Sequence, residues 1–206
     1  MRKAAERAGI DPSTSFRWRH RFLGAQKNLQ DQRLGGIVEV DTSYVLESRK
    51  GERSLPRKAR KRGGKAKKRG LSDEQTPILI ARDRDRRHIH AVVPDRTADA
   101  VDKVLGSAVS ADDALLCIDG DKALIAFAER RGIEYETIIA SRGEHVHEKV
   151  LHLQNVNSYA SRFKGWLAPF KGVASRYLPS YLAWRRLLEK SGDAFAAGPC
   201  LVNAIG

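Results

Sequence analysis

The chain has 206 residues, 41% hydrophobic and 31% charged, enough for one full domain with a short appendage and too well balanced for wholesale disorder. Its net charge of +13 points to a polyanionic partner, nucleic acid first, while two cysteines, Cys117 and Cys200, exclude a disulfide scaffold and a cysteine-based zinc site. No uncharged apolar run approaches the roughly 18 residues of a membrane span and no signal-peptide core opens the chain, so the sequence reads as an intracellular, cytoplasmic and nucleoid-associated protein without a membrane partner.

Lys3 to Gly24 reads as most of a helix-turn-helix. A small-residue helix, Ala4 to Ala8, ends at Gly9, and Asp11-Pro12-Ser13 supplies turn and N-cap chemistry. The second helix, Thr14 to Leu23, carries Arg17, Arg19, His20 and Arg21, as a recognition helix would. A preceding helix would lie before Met1, which suggests a truncated chain or a shortened gene product. Residues 26–36 are polar, end in Gly-Gly, and read as a linker.

Ile37 to Leu46 alternates, with Val38, Val40, Tyr44 and Leu46 on one face and Glu39, Asp41 and Ser43 on the other. Period two predicts a strand with Asp41 midway along its polar face. Arg49 to Gly70 then holds 12 Lys or Arg and one Glu, a net +11, with four glycines and a proline. Such a segment cannot fold alone. It predicts a mobile phosphate-neutralising arm bearing Arg57, Lys58, Arg60, Lys61, Arg62, Lys65, Lys67, Lys68 and Arg69.

Pro77 to Ala81 and Arg87 to Val93 predict a hairpin across the turn RDRDR. Thr97 caps a helix carrying Val101, Val104 and Leu105, and Ala114 to Ile118 is an apolar strand ending at Asp119-Gly120. A helix from Asp121 to Arg131 closes at Gly132, and Ile133 to Ile139 is a strand. Asn155 to Leu167 and Pro179 to Lys190 are amphipathic helices. Three antiparallel strands followed by right-handed crossovers give an α/β fold, an RNase H-like mixed sheet flanked by helices, with the fourth strand beside the first.

In that layout Asp41 approaches Asp119. Two converging carboxylates repel unless a cation or proton lies between them, and oxygen ligands with open positions suit Mg²⁺ or Mn²⁺. Two such ions about 4 Å apart can drive phosphodiester cleavage. Asn157 and Lys164 share a helical stripe, Asn157 offering a neutral oxygen ligand and Lys164 a cation for phosphate. The histidines at 88, 90, 145, 147 and 152 lack partners at finger spacing, which argues against zinc.

The blocks VEVDTSYVLES (Val38 to Ser48), RKRGGKAKKRGLSDEQTPILIARDR (Arg60 to Arg84), LLCIDGDKALIAFAERRGI (Leu115 to Ile133) and LQNVNSYASRFKGWLAPFKGVASRYLPSYLAWRRLLE (Leu153 to Glu189) resemble bacterial insertion-sequence transposases of the ISXO-like DDE superfamily. The resemblance implies a DDE-type transposase with two divalent metals. Asp41 and Asp119 are then the first two metal ligands, Asn157 replaces the third carboxylate, and Lys164 is the basic residue that follows. It further implies double-stranded DNA partners, the transposon terminal repeats and target DNA, and a homodimer or higher oligomer on DNA. Three positions depart from the family pattern: Thr42 for Glu, Ala160 for His, and Leu124 for an aromatic residue.

The sequence therefore predicts a helix-turn-helix segment over 1–25, a linker over 26–36, a catalytic domain over 37–190 with its basic arm at 49–70, and a tail over 191–206. The expected activity is metal-dependent hydrolysis and strand transfer at transposon ends. The alternatives are a catalytically decayed DNA-binding remnant and a structure-selective nuclease using the same site.

Overall fold

The computed structural model describes residues 2–28, 33–60, 64, 66–68, 71–139 and 150–192. Two helices open the chain, α1 (Arg2–Arg7) and α2 (Pro12–Ala25), joined by a turn through Gly9 at φ 61°. Asp11 caps α2 as the sequence predicts, its side chain accepting from the Ser13 N–H at 2.7 Å, and Pro12 takes the first helical position, where a missing N–H costs nothing.

A five-stranded sheet follows, built from β1 (Leu34–Leu46), β2 (Gln75–Asp83), β3 (His88–Val92), β4 (Val109–Ile118) and β5 (Glu134–Thr137). The spatial order is β3-β2-β1-β4-β5. The first three strands are antiparallel neighbours, and β4 and β5 run parallel to β1. This is the RNase H-like mixed sheet that the order of elements implies.

Helices α3 (Ala98–Leu105) and α4 (Lys122–Arg131) cover one face. They bury Val101, Leu105, Leu124 and Phe127 against Val38, Val40, Leu116 and Ile118. Thr97 caps α3, its hydroxyl accepting from the Ala100 N–H at 3.2 Å, and Gly132 ends α4 at φ 65°, a left-handed conformation that favours glycine. On the opposite face lies α5 (Gln154–Leu167), which turns Val156, Tyr159, Ala160 and Phe163 inward. Because both faces are covered, β2 is buried continuously from Ile78 to Asp83, with no solvent-facing alternation. The same covering buries Glu39 and Ser43, so the polar side of β1 is a protein interior.

Several sequence-based boundaries move. Residues 26–36 are more than a linker: Gln26–Asn28 form a 3₁₀ turn with Gln26 buried, and Leu34 to Gly36 already belong to β1. Leu34 is completely buried and pairs with Val109, which extends both strands beyond their predicted starts. The last helix, α6 (Leu178–Ser191), groups with α1 and α2 in a compact unit of residues 1–30 and 177–206, while residues 31–176 form the other unit. The physical reason is a set of polar and aromatic ties: the buried Arg186 donates to the carbonyls of Gln26 and Lys27, and His20 stacks on Tyr177 at 4.0 Å. Of the predicted tail, residues 193–206 lie outside the described residues.

Candidate functional site

Parallel pairing of β1 with β4 places Val40 opposite Ile118. The next residues, Asp41 and Asp119, therefore stand side by side where β4 ends, and both line one cleft of about 410 Å³. In open α/β sheets this position, beyond the carboxyl ends of parallel strands, is where ligands bind. Asp119 begins the turn into α4. Its Oδ1 accepts from the Asp121 N–H at 3.1 Å, and Asp121 in turn caps α4 by accepting from the Ala123 N–H at 2.8 Å.

Burial pushes the Asp41 carboxyl above its usual range, and the neighbouring charge of Asp119 pushes it the same way. The Thr42 backbone and the charge of Lys164 act in the opposite direction. The sequence-predicted Lys164 thus lies within electrostatic reach of Asp41, although its own side chain is exposed on α5. Asn157 is exposed on the same helix. Asn157 is brought to this side of the sheet by α5, whose packed face follows the rows of the sheet. The Val156 N–H meets Glu39, and one turn on the Tyr159 hydroxyl bonds His90 Nδ1 at 2.7 Å, in the row that pairs Asp41, Ile80 and His90.

What fixes α5 in that register is a residue that the sequence places only on a polar face. Glu39 is 1% exposed and sits two residues before Asp41 on the same side of β1. The N-cap residue of α5, Leu153, offers no side-chain cap. Glu39 supplies one from the sheet: its Oε2 accepts from the N–H groups of Asn155 and Val156 at 2.8 and 2.9 Å, and its Oε1 from the Asn155 side-chain amide at 2.8 Å. A carboxylate at a helix N-terminus also meets the positive end of the helix dipole.

Arg84 completes the arrangement from the β2–β3 turn. It donates to Glu39 Oε1 at 2.5 Å and to the Val150 carbonyl at 2.7 Å, and lies 3.0 Å from His152 Nε2. Beside them Cys117 is buried opposite Glu39, its thiol pushed up to about 11 chiefly by desolvation and so held un-ionised. His88 and His90 are core residues, edge to face with each other and near the Tyr159 ring, while His145 and His147 lie outside the described residues.

The residues present suit a hard divalent cation with incomplete protein coordination. Among the described residues no three His, Cys, Asp or Glu side chains converge at metal-ligand spacing. Two adjacent carboxylates in an open cleft match Mg²⁺, which keeps several waters and is commonly held by one or two carboxylates plus substrate phosphates.

The candidate DNA-binding residues divide. On α2, Arg17 and Arg21 are exposed, whereas Arg19 is drawn onto α6: it donates to the Tyr181 hydroxyl at 2.9 Å and lies over the Trp184 ring at 4.8 Å. In the basic segment Lys58, Lys67 and Lys68 are exposed. Arg57 and Arg60 are half-buried and face acids, Arg57 near Glu47 at 3.9 Å and Arg60 paired with Glu74 at 2.8 Å. Lys61, Arg62, Lys65 and Arg69 lie outside the described residues. The predicted mobile arm is thus anchored where its described residues meet Glu47 and Glu74.

A family model of the ISXO2-like transposase domain matches residues 33–185. The chain belongs to that family. It is also 30% identical over 179 residues to a protein of Halobacterium salinarum described as an uncharacterized protein in transposable element ISH50. The match covers 85% of this chain and 60% of that relative's length. The matched family region spans the whole sheet, both aspartates and α5.

Two measurements test this geometry. Glu39→Ala removes the α5 cap and strands Arg84, and is expected to lower the unfolding free energy by about 3–5 kcal/mol in a denaturant titration. Glu39→Gln, which keeps one acceptor, should cost about 1–3 kcal/mol. For Asp41 the folded state holds the proton more tightly than the unfolded chain, so its stability contribution is full below 3.8 and is lost as pH rises through the raised folded value. Asp41→Asn should therefore raise the thermal midpoint at pH 7 in metal-free buffer, and the gain should vanish as the pH falls toward 3.8. A gain independent of pH would contradict the electrostatic origin.

Proposed function

We propose that the chain is the transposase of an insertion sequence, cutting DNA at the ends of its element and joining them to a target. The observation that carries this reading is the side-by-side placement of Asp41 and Asp119 at the strand ends, with Lys164 in electrostatic reach. Membership of the ISXO2-like transposase family supports this reaction class.

Ionised Asp41 and Asp119 would hold Mg²⁺ or Mn²⁺, two ions in all, with Asn157 adding a neutral oxygen. Bound there, such cations would supply activation of the attacking oxygen and offset of charge on the leaving oxygen. Lys164 orients a phosphate oxygen, and the Glu39-capped α5 keeps Lys164 and Asn157 at a fixed height above β1. In the first step a water oxygen attacks the phosphorus at the element end and the P–O3′ bond breaks, leaving a 3′-hydroxyl and a 5′-phosphate. In the second, that 3′-oxygen attacks a target phosphorus and displaces the target's own 3′-oxygen.

The partners are double-stranded DNA at the terminal repeats and the target, engaged by a dimer or larger assembly. Residues 1–25 act as the end-recognition segment through Arg17 and Arg21, with Arg19 bracing it. Residues 49–70 neutralise phosphates. The protein would act at the nucleoid in the cytoplasm.

A second reading, a DNA-binding remnant without cleavage, is favoured by the ligand set itself. An amide oxygen carries no formal charge, and Thr42 puts no acid at the position that follows Asp41 in the sequence.

Incubating the protein with labelled element-end DNA and Mg²⁺ or Mn²⁺ separates the two. Nicking at the terminus is expected, and Asp41→Asn or Asp119→Asn should abolish it while DNA affinity stays equal or rises. Binding without nicking in either metal would establish the remnant. Independently, replacing Lys58, Lys67 and Lys68 by Gln should weaken binding to all DNA sequences alike and reduce the salt slope by about 0.9 per lost phosphate contact. An unchanged slope would remove the arm from the interface.

A further inference from the structure

The cleft that holds Asp41 and Asp119 contains more than acids. Tyr44, Leu71, Arg96 and Lys122 line it as well. None of the four was singled out by its spacing as part of a site, and together they carry three chemistries.

Arg96 is the most informative. Other arginines of the sheet unit are matched to carboxylates: Arg60 to Glu74, Arg84 to Glu39, Arg87 to Asp83 and Arg131 to Asp102. Arg96 shares a cleft with Asp41, Asp119 and Asp121, yet among the described residues it makes no ion pair or hydrogen bond. Its exposed guanidinium is a planar fork suited to two phosphate oxygens, and Lys122 adds a second exposed cation.

Tyr44 and Leu71 give the cleft an apolar side. Leu71 is 46% exposed, and the Tyr44 ring is half-buried without a ring partner among the described residues. Burial raises the Tyr44 phenol above its ordinary range, opposed by the charge of Arg96 and helped by those of Asp121, Asp41 and Asp119, so the ring is neutral toward a phosphate. An aromatic face beside a guanidinium and a carboxylate pair fits one nucleotide, base on the ring and phosphate on the fork. The volume of about 410 Å³ lies within the range of small-ligand sites.

We propose that Tyr44, Leu71, Arg96 and Lys122 form a nucleotide subsite that takes an unpaired base and its phosphate next to the bond being cut. The proposal rests on the reading of Asp41 and Asp119 as the cleaving pair. It adds a requirement that the duplex opens by at least one base at its end, because a stacked base cannot reach a side chain inside a cleft.

The test uses the full chain carrying Asp41→Asn, without divalent ion, so that binding is read apart from cleavage. The probes are a blunt duplex and the same duplex with one unpaired terminal base. Tighter binding of the unpaired end, by about 5- to 150-fold as one base stacked on an aromatic ring supplies, is expected. Tyr44→Leu, which keeps apolar bulk but lacks the ring face, should erase that preference, and Tyr44→Phe should restore it. Arg96→Gln should weaken both duplexes and lower the salt slope by about one. A 5-iodo-deoxyuridine at the unpaired position should cross-link to Tyr44 under ultraviolet light. Equal affinity for both ends, a preference that survives Tyr44→Leu, or a cross-link mapped outside this cleft would each overturn the subsite. Wild-type protein that fails to nick while the variants behave as stated overturns the cleavage reading alone.

Discussion

A single buried carboxylate holds the sheet and the helix above it in register. Glu39 faces the N-terminus of α5 from the central strand, and Arg84 balances its charge from the hairpin turn. Isolated, a buried carboxylate would be prohibitively costly. Here two backbone N–H groups, a side-chain amide and a guanidinium replace its water. The arrangement solves two problems together: α5 has no cap of its own, and β1 has an acid with nowhere to meet solvent. Because Glu39 and Asp41 are neighbours on one side of the same strand, whatever moves α5 along β1 also moves Asn157 and Lys164 relative to Asp41.

The cleft has a different electrostatic character from the rest of the protein. Several acids and bases elsewhere are paired closely, as in Arg131 with Asp102 or Arg87 with Asp83. At the ends of β1 and β4 the acids are left adjacent to each other, which adds to burial in making Asp41 hold its proton more tightly. That is stored unfavourable charge. Local pairing could have removed it, since Arg96 and Lys122 line the same cleft. The fold instead leaves the acids adjacent and Arg96 without an ion pair among the described residues, an arrangement that a positive ligand at the acids or a negative one at the bases would stabilise.

Much of this architecture is legible in the sequence because it rests on local signals. The alternation in Ile37 to Leu46, the apolar run before Asp119, and the Thr97 and Gly132 caps each announce their element, and their order forces β4 beside β1. Asp41 and Asp119 follow from counting along two strands. Glu39 does not, because its partners at 155 and 156 lie 116 and 117 residues away and nothing local marks them. Alternation also assigned Glu39 and Ser43 to a polar face, and only the seating of α5 shows that this face is interior. The grouping of α6 was hidden for a similar reason: an apolar stripe shows that a helix packs, not what it packs against. On α2, charge alone could not separate Arg19, which braces α6, from Arg17 and Arg21, which face solvent.

The ladder between β1 and β2 stays in register up to the pair Leu46 and Gln75, and the Glu47 N–H then bonds the Glu74 carbonyl at 2.8 Å. The strands are therefore closed at the base of the basic segment, before it departs. Closing a longer loop across that neck costs only about 0.6 kcal/mol for each doubling of its length. The sheet is thus nearly indifferent to what hangs from it there. The segment can lengthen, shorten or change composition without disturbing the spacing of Asp41 and Asp119, so reach along a nucleic acid can evolve separately from the chemistry at the strand ends.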